Sequence, residues 1–102
     1  MRLRLTPGFE RDVRRLHPEH RERLLAVLPN FAAAAERAAA GADSPWPRSL
    51  RVKRVMATAG IWEFTWSMRS PDGRATWEWT VHEGGPAVLL RRAGDHAVFK
   101  RP

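Results

Sequence analysis

The 102-residue chain contains no cysteine and no tyrosine. The missing cysteines exclude a disulfide scaffold and leave the redox compartment unmarked. No stretch approaches the ~18 consecutive apolar residues of a membrane helix. The opening MRLRLTPGFE has no apolar run of the signal-peptide kind. A soluble, cytoplasmic protein with no membrane partner is the expectation. Zinc spacing, a Walker loop, the Rossmann glycine pattern and a Ser-His-Asp arrangement are all missing, so neither a metal nor another cofactor is expected. Acidic residues are scarce, 11 against 18 basic ones, and only Lys53 and Lys100 of the basic set are lysine.

What is present is positive charge. A net charge of +7 and a pI near 11.5 form the electrostatic footprint of a polyanion binder, whose partner is nucleic acid or an acidic protein. An Arg- and Ala-rich composition also follows from a GC-rich genome, in which case the charge is a solvated surface and nothing more. The length predicts one domain, residues 1–102, large enough to bury a core unaided.

Hydrophobic period divides the chain in two. MRLRL alternates and predicts a short half-buried strand. Thr6-Pro7 then supplies an N-cap and a first helical residue. Phe9, Val13 and Leu16 make one apolar stripe, and His17-Pro18 separates that helix from the next. Leu24, Leu28 and Phe31 repeat the spacing, extended by Ala35 and Ala38. Pro29 is expected to kink or split this second helix, and Gly41 to cap it. GADSPWPRS at 41–49 is linker chemistry. From Leu50 the period becomes two. SLRVKRV puts Arg51 and Lys53 on one side and Leu50 and Val52 on the other. IWEFTWSM groups Trp62, Phe64, Trp66 and Met68 against Ile61, Glu63, Thr65 and Ser67. RATWEWTV groups Ala75, Trp77, Trp79 and Val81 against Arg74, Thr76, Glu78 and Thr80. SPDG at 70–73 and EGGP at 83–86 are turns, and AVLLRR is the last strand.

The fold class expected is therefore α+β: an N-terminal strand and two helices packed on one face of a small antiparallel sheet. The tryptophans need the helices as cover and belong to the core. The polar face, with Arg2, Arg4, Arg51, Lys53, Glu63, Thr65, Arg74, Thr76, Glu78 and Thr80, is expected to stay open to solvent. Hairpin geometry brings Arg51, Lys53, Arg69, Arg74, Arg91 or Arg92, His96 and Phe99 to one rim. His82 falls at the opposite end of its strand. His17 and His20 form no constellation.

Such a rim suits metal-free RNA cleavage through the 2′-hydroxyl. Arginines hold a phosphate bidentately, a histidine exchanges protons near neutral pH, and an aromatic ring stacks on an unpaired base. Arg74 would stabilise the developing charge and His96 would protonate the 5′-oxygen. Glu63 and Glu78 are the carboxylates on the polar face, with Glu63 the candidate base. Arg51, Lys53, Arg69, Arg91, Arg92 and Phe99 are the candidate RNA contacts. The blander alternatives are a surface or capping role for His96, a tail anchor for Phe99, and simple ion pairing for the two glutamates.

The segments LRLTPGFERDVRRL, LRVKRV, GIWEFTW, DGRATW and VLLRRAGDHAVFKRP, in that order, resemble the RelE/ParE superfamily of bacterial type II toxins. The last resembles that family's Gly-x-His-x-x-aromatic ending. The resemblance covers most of the chain and implies a small antiparallel sheet with two N-terminal helices on one face. In its RelE-like branch it implies an mRNA interferase acting on the ribosome, with Arg74, His96 and Phe99 in the site and Arg51 and Lys53 contributing contacts. Phe99 stands where some members carry a tyrosine, and Glu63 and Thr65 where the best-known member has lysines. The sister branch implies a DNA gyrase poison without catalytic residues, and an inactive toxin-fold binder is a third alternative. Each implies a cognate antitoxin, whose acidic segment folds onto the basic chain.

Overall fold

Thr6 opens the first helix as the sequence suggests, its hydroxyl accepting the Phe9 N–H at 3.0 Å with Pro7 as the first helical residue. The computed structural model of the chain describes residues 1–68, 72–95, 98 and 100–102. Arg69, Ser70, Pro71, His96, Ala97 and Phe99 lie outside them, and with them the first half of the 70–73 turn. The elements are β1 (Leu3–Leu5), α1 (Pro7–Arg15), α2 (Pro18–Ala39), a short 3-10 turn (Arg48–Leu50), β2 (Lys53–Arg54), β3 (Trp62–Ser67), β4 (Gly73–His82) and β5 (Gly85–Gly94).

The strands form one sheet in the order β1-β5-β4-β3-β2. It is a mixed sheet, not the antiparallel one expected, because β1 runs parallel to β5. The direction of β1 is tied to α1. The strand delivers Thr6 to the end of β5, where its N–H donates to the Leu90 carbonyl and its hydroxyl to the Arg91 carbonyl. A reversed β1 would start α1 at the wrong end of β5, the strand it packs on.

Both helices bury their stripes on one face of the sheet. Phe9 of α1 and Leu24, Phe31 and Ala35 of α2 share a core with Phe64, Trp77, Val88 and Leu90. Phe31 lies 4.4 Å from Phe64, ring centre to ring centre, and 5.1 Å from Trp77. Arg21 bonds the α1 carbonyls of Val13 and Arg14 and that of Leu16, tying the two helices together.

Four local expectations need correction. Pro29 does not split α2, which is one helix of 22 residues. Pro29 and Leu25 are both exposed, so the carbonyl that loses its partner faces water and the helix stays continuous. Residues 50–52 are not strand: Leu50 ends the 3-10 turn and is buried, and Arg51 takes a left-handed conformation, leaving β2 two residues long. The 41–49 stretch is more than a linker, because Trp46 stacks on Phe31 and touches Trp77 and Trp79. Met68 does not share the core face. Trp66 is an extra residue between the Thr65–Arg74 and Ser67–Gly73 pairs, and this bulge breaks the alternation and leaves Met68 exposed. The second turn agrees with its chemistry: Glu83 and Gly84 both have positive φ, joining β4 to a β5 longer than the 87–92 expected.

Candidate functional site

The register sets two polar rows on the face away from the helices. Lys53 lies opposite Glu63, Glu63 opposite Thr76, and Thr76 opposite Arg92; in the next row Thr65 lies opposite Arg74, and Arg74 opposite Gly94. Diagonal neighbours in such a lattice are within reach of long side chains, which makes Glu63, Thr65, Arg74 and Thr76 one cluster.

This face is not open as expected. Glu63 is 4% exposed, Arg74 6% and Thr76 0%. The chain's last described residues fold across it. The main-chain oxygen of Pro102 accepts from the Thr76 hydroxyl at 2.9 Å and from Arg91 Nε at 3.0 Å, and the Arg101 carbonyl accepts from Arg92 at 3.2 Å. Val98 is buried beside Gly94. Alternation assigned the polar face correctly and said nothing of what would cover it.

Arg74 donates through Nη1 to the Thr65 hydroxyl and through Nη2 to Asp72 at 3.3 Å. Its Nε–H is buried with no hydrogen-bond partner among the described residues. Glu63 faces Lys53, whose Nζ is 3.6 Å from Oε1, and that oxygen accepts no hydrogen bond among the described residues. The cluster thus holds one unfilled donor and one unfilled acceptor in adjacent rows, both shielded from water, where polar interactions are strong.

The other site residues divide. Lys53 is joined to the cluster through Glu63. Arg51 is exposed at the same end of the sheet, its guanidinium 3.8 Å from Met68 Sδ. Arg91 pairs with Glu78 at 2.7 Å, which makes Glu78 a partner for an arginine. Arg92 turns away to α1, held by Asp12 at 2.6 and 3.1 Å, and these bonds keep its pKa above the ordinary guanidinium value. Arg91 is the extra residue of a bulge between the Trp77–Leu90 and Thr76–Arg92 pairs, and the two successive arginines reach different partners. Arg69, His96 and Phe99 lie outside the described residues.

One feature of the site escaped the sequence. On the helix side of the same sheet end lies a cleft of about 330 Å³, reached by Arg15 of α1, His20 of α2, Trp66 of β3 and Asp72. The His20 ring lies 5.9 Å from that of Trp66. A lone histidine among helix residues carries no signal of this, because its neighbours are supplied by distant strands.

No family model, curated protein or solved structure matches the chain. Among the described residues no helix is long and apolar enough to cross a membrane.

Proposed function

We propose that the protein is a ribosome-dependent mRNA endonuclease, the toxin of a type II toxin–antitoxin pair, as its resemblance to the RelE-like branch implies. The observation that carries this is the presence, in adjacent rows of one sheet face, of an unfilled carboxylate oxygen on Glu63 and an unfilled guanidinium N–H on Arg74. In-line cleavage by a 2′-hydroxyl needs an acceptor for the hydroxyl proton and a donor for the phosphate oxygens. Glu63 takes the proton as the 2′-oxygen bonds to phosphorus. Arg74 stabilises the added negative charge, and the 5′-oxygen leaves with a proton from His96. The products are a 2′,3′-cyclic phosphate and a free 5′-hydroxyl. Arg51 and Lys53 guide the strand, Arg69 and Arg91 add positive charge, and Phe99 stacks on a base. Arg92 is assigned no contact, since Asp12 occupies it. The cognate antitoxin is an acidic chain matched to the net charge of +7.

A second reading is favoured by one observation, the burial of Glu63 and Arg74, 4% and 6% exposed. Groups that stay buried cannot reach a scissile phosphate, so the protein would act through other surfaces, as a ParE-like gyrase poison or an inactive binder. Cleavage of mRNA in a purified translation system, with cut sites mapped by primer extension, tests the choice. The wild type is expected to cut ribosome-bound codons. Arg74→Ala, His96→Ala and Glu63→Gln are each expected to slow cutting by about 10²–10⁴-fold, the range of acid–base and oxyanion contributions. Intact mRNA and undisturbed translation overturn the endonuclease reading, and a gyrase supercoiling assay then separates the poison from the binder.

A further inference from the structure

We propose that the cleft at the α1–α2 junction is a nucleobase pocket, seating the base of a nucleotide that flanks the bond being cut. This rests on the RNA reading above and adds a second contact site to it. The cleft's volume of about 330 Å³ lies at the lower end for ligand pockets and suits one base with its sugar.

Its walls have the chemistry of a base site. Leu16 and the edge of the Trp66 indole are apolar, and the half-buried His20 ring stands at 57° to that indole, offering a π-face. Stacking on such a face is open to every base. Asp72 at the margin is a carboxylate acceptor for an exocyclic amino group, and it also bonds Arg74 at 3.3 Å, so the cleft borders the proposed reaction centre. Arg15 at the lip is exposed and has no ion-pair partner among the described residues, leaving it for the adjoining phosphate. The Asp12–Arg92 pair on the opposite wall is saturated by its own bonds and gives a fixed floor.

The backbone is shaped to leave this space. Trp66 sits at the bulge with its ring in the core beside the helices, and its Nε1 donates to the Arg74 carbonyl at 2.9 Å. Gly73 passes so close that a Cβ there would lie 2.4 Å from the ring. The indole N–H is thus a reporter at the junction of pocket and reaction centre.

The test is a ¹H–¹⁵N titration of the protein with AMP, GMP, CMP and UMP, with ribose 5-phosphate and inorganic phosphate as base-free probes. At least one nucleotide is expected to shift the Trp66 indole and the Gly73 and Gly94 amides, while the base-free probes leave them in place. His20→Ala is expected to weaken that nucleotide about tenfold, as loss of one stacking face does. Arg15→Glu, an exposed change that leaves the core intact, is expected to weaken it severalfold. Equal shifts with ribose 5-phosphate, no shifts with any nucleotide, or unchanged affinity in both variants overturns the pocket. Base-dependent shifts in a protein that cuts no mRNA uphold the pocket and sink the endonuclease reading. Cutting without such shifts does the reverse.

Discussion

Gly73 is the residue on which the rim depends most. It opens β4 directly under the Trp66 ring, and any side chain there meets a buried indole. Gly73→Ala is expected to lower stability by about 1–3 kcal/mol, the usual cost of overpacking, measured as a fall in the urea midpoint. Glu63 presents the opposite case. Its carboxylate is buried beside one exposed lysine, without a hydrogen bond to Oε1 among the described residues. A charge held this way adds little to stability, since desolvation offsets the attraction. Glu63→Gln is therefore expected to leave the melting temperature unchanged or raise it, while removing the proton acceptor that cleavage needs. A matched fall in stability and activity would assign Glu63 to the fold alone.

The elements show which local signals survive tertiary packing. Caps and turns did: Thr6 caps α1, and Gly41 ends α2 with positive φ while Ala42 donates back to the Arg37 carbonyl. Pro29 does not mark a helix end, because a proline on the exposed side of a helix costs a hydrogen bond without ending the helix. Pro29→Ala is expected to restore that bond and raise stability by about 1–3 kcal/mol, checked by thermal unfolding; a loss would mean that the proline ring itself serves packing. Alternation identified β3 and β4 and both of their faces. It failed at Met68, just past the Trp66 bulge, since a bulge depends on the partner strand's register, which no single strand encodes. β2 was overextended because LRVKRV alternates well, yet Leu50 is drawn into the core from a turn.

For the whole molecule, the excess of positive charge sets how a polyanion is met. Arg51, Lys53 and Arg54 are exposed together along one sheet edge. If that edge and its neighbours neutralise about four to six phosphates of a single strand, the log–log slope of affinity against salt is about −3 to −4. Fluorescence anisotropy with a non-cleavable RNA oligonucleotide measures it, and a slope near zero would remove the electrostatic role. Charge, the order of elements and the two faces of β3 and β4 were legible in the sequence, because composition and periods of 2 and 3.6 are short-range properties. The placement of β1 beside β5, the burial of Glu63 and Arg74, and the His20–Trp66 cleft were decided only by tertiary structure. They rest on meetings such as Thr76 with Pro102, 26 residues apart, and Asp12 with Arg92, 80 apart. Contacts at that separation arise only when distant segments of the chain pack together, and no local pattern carries them.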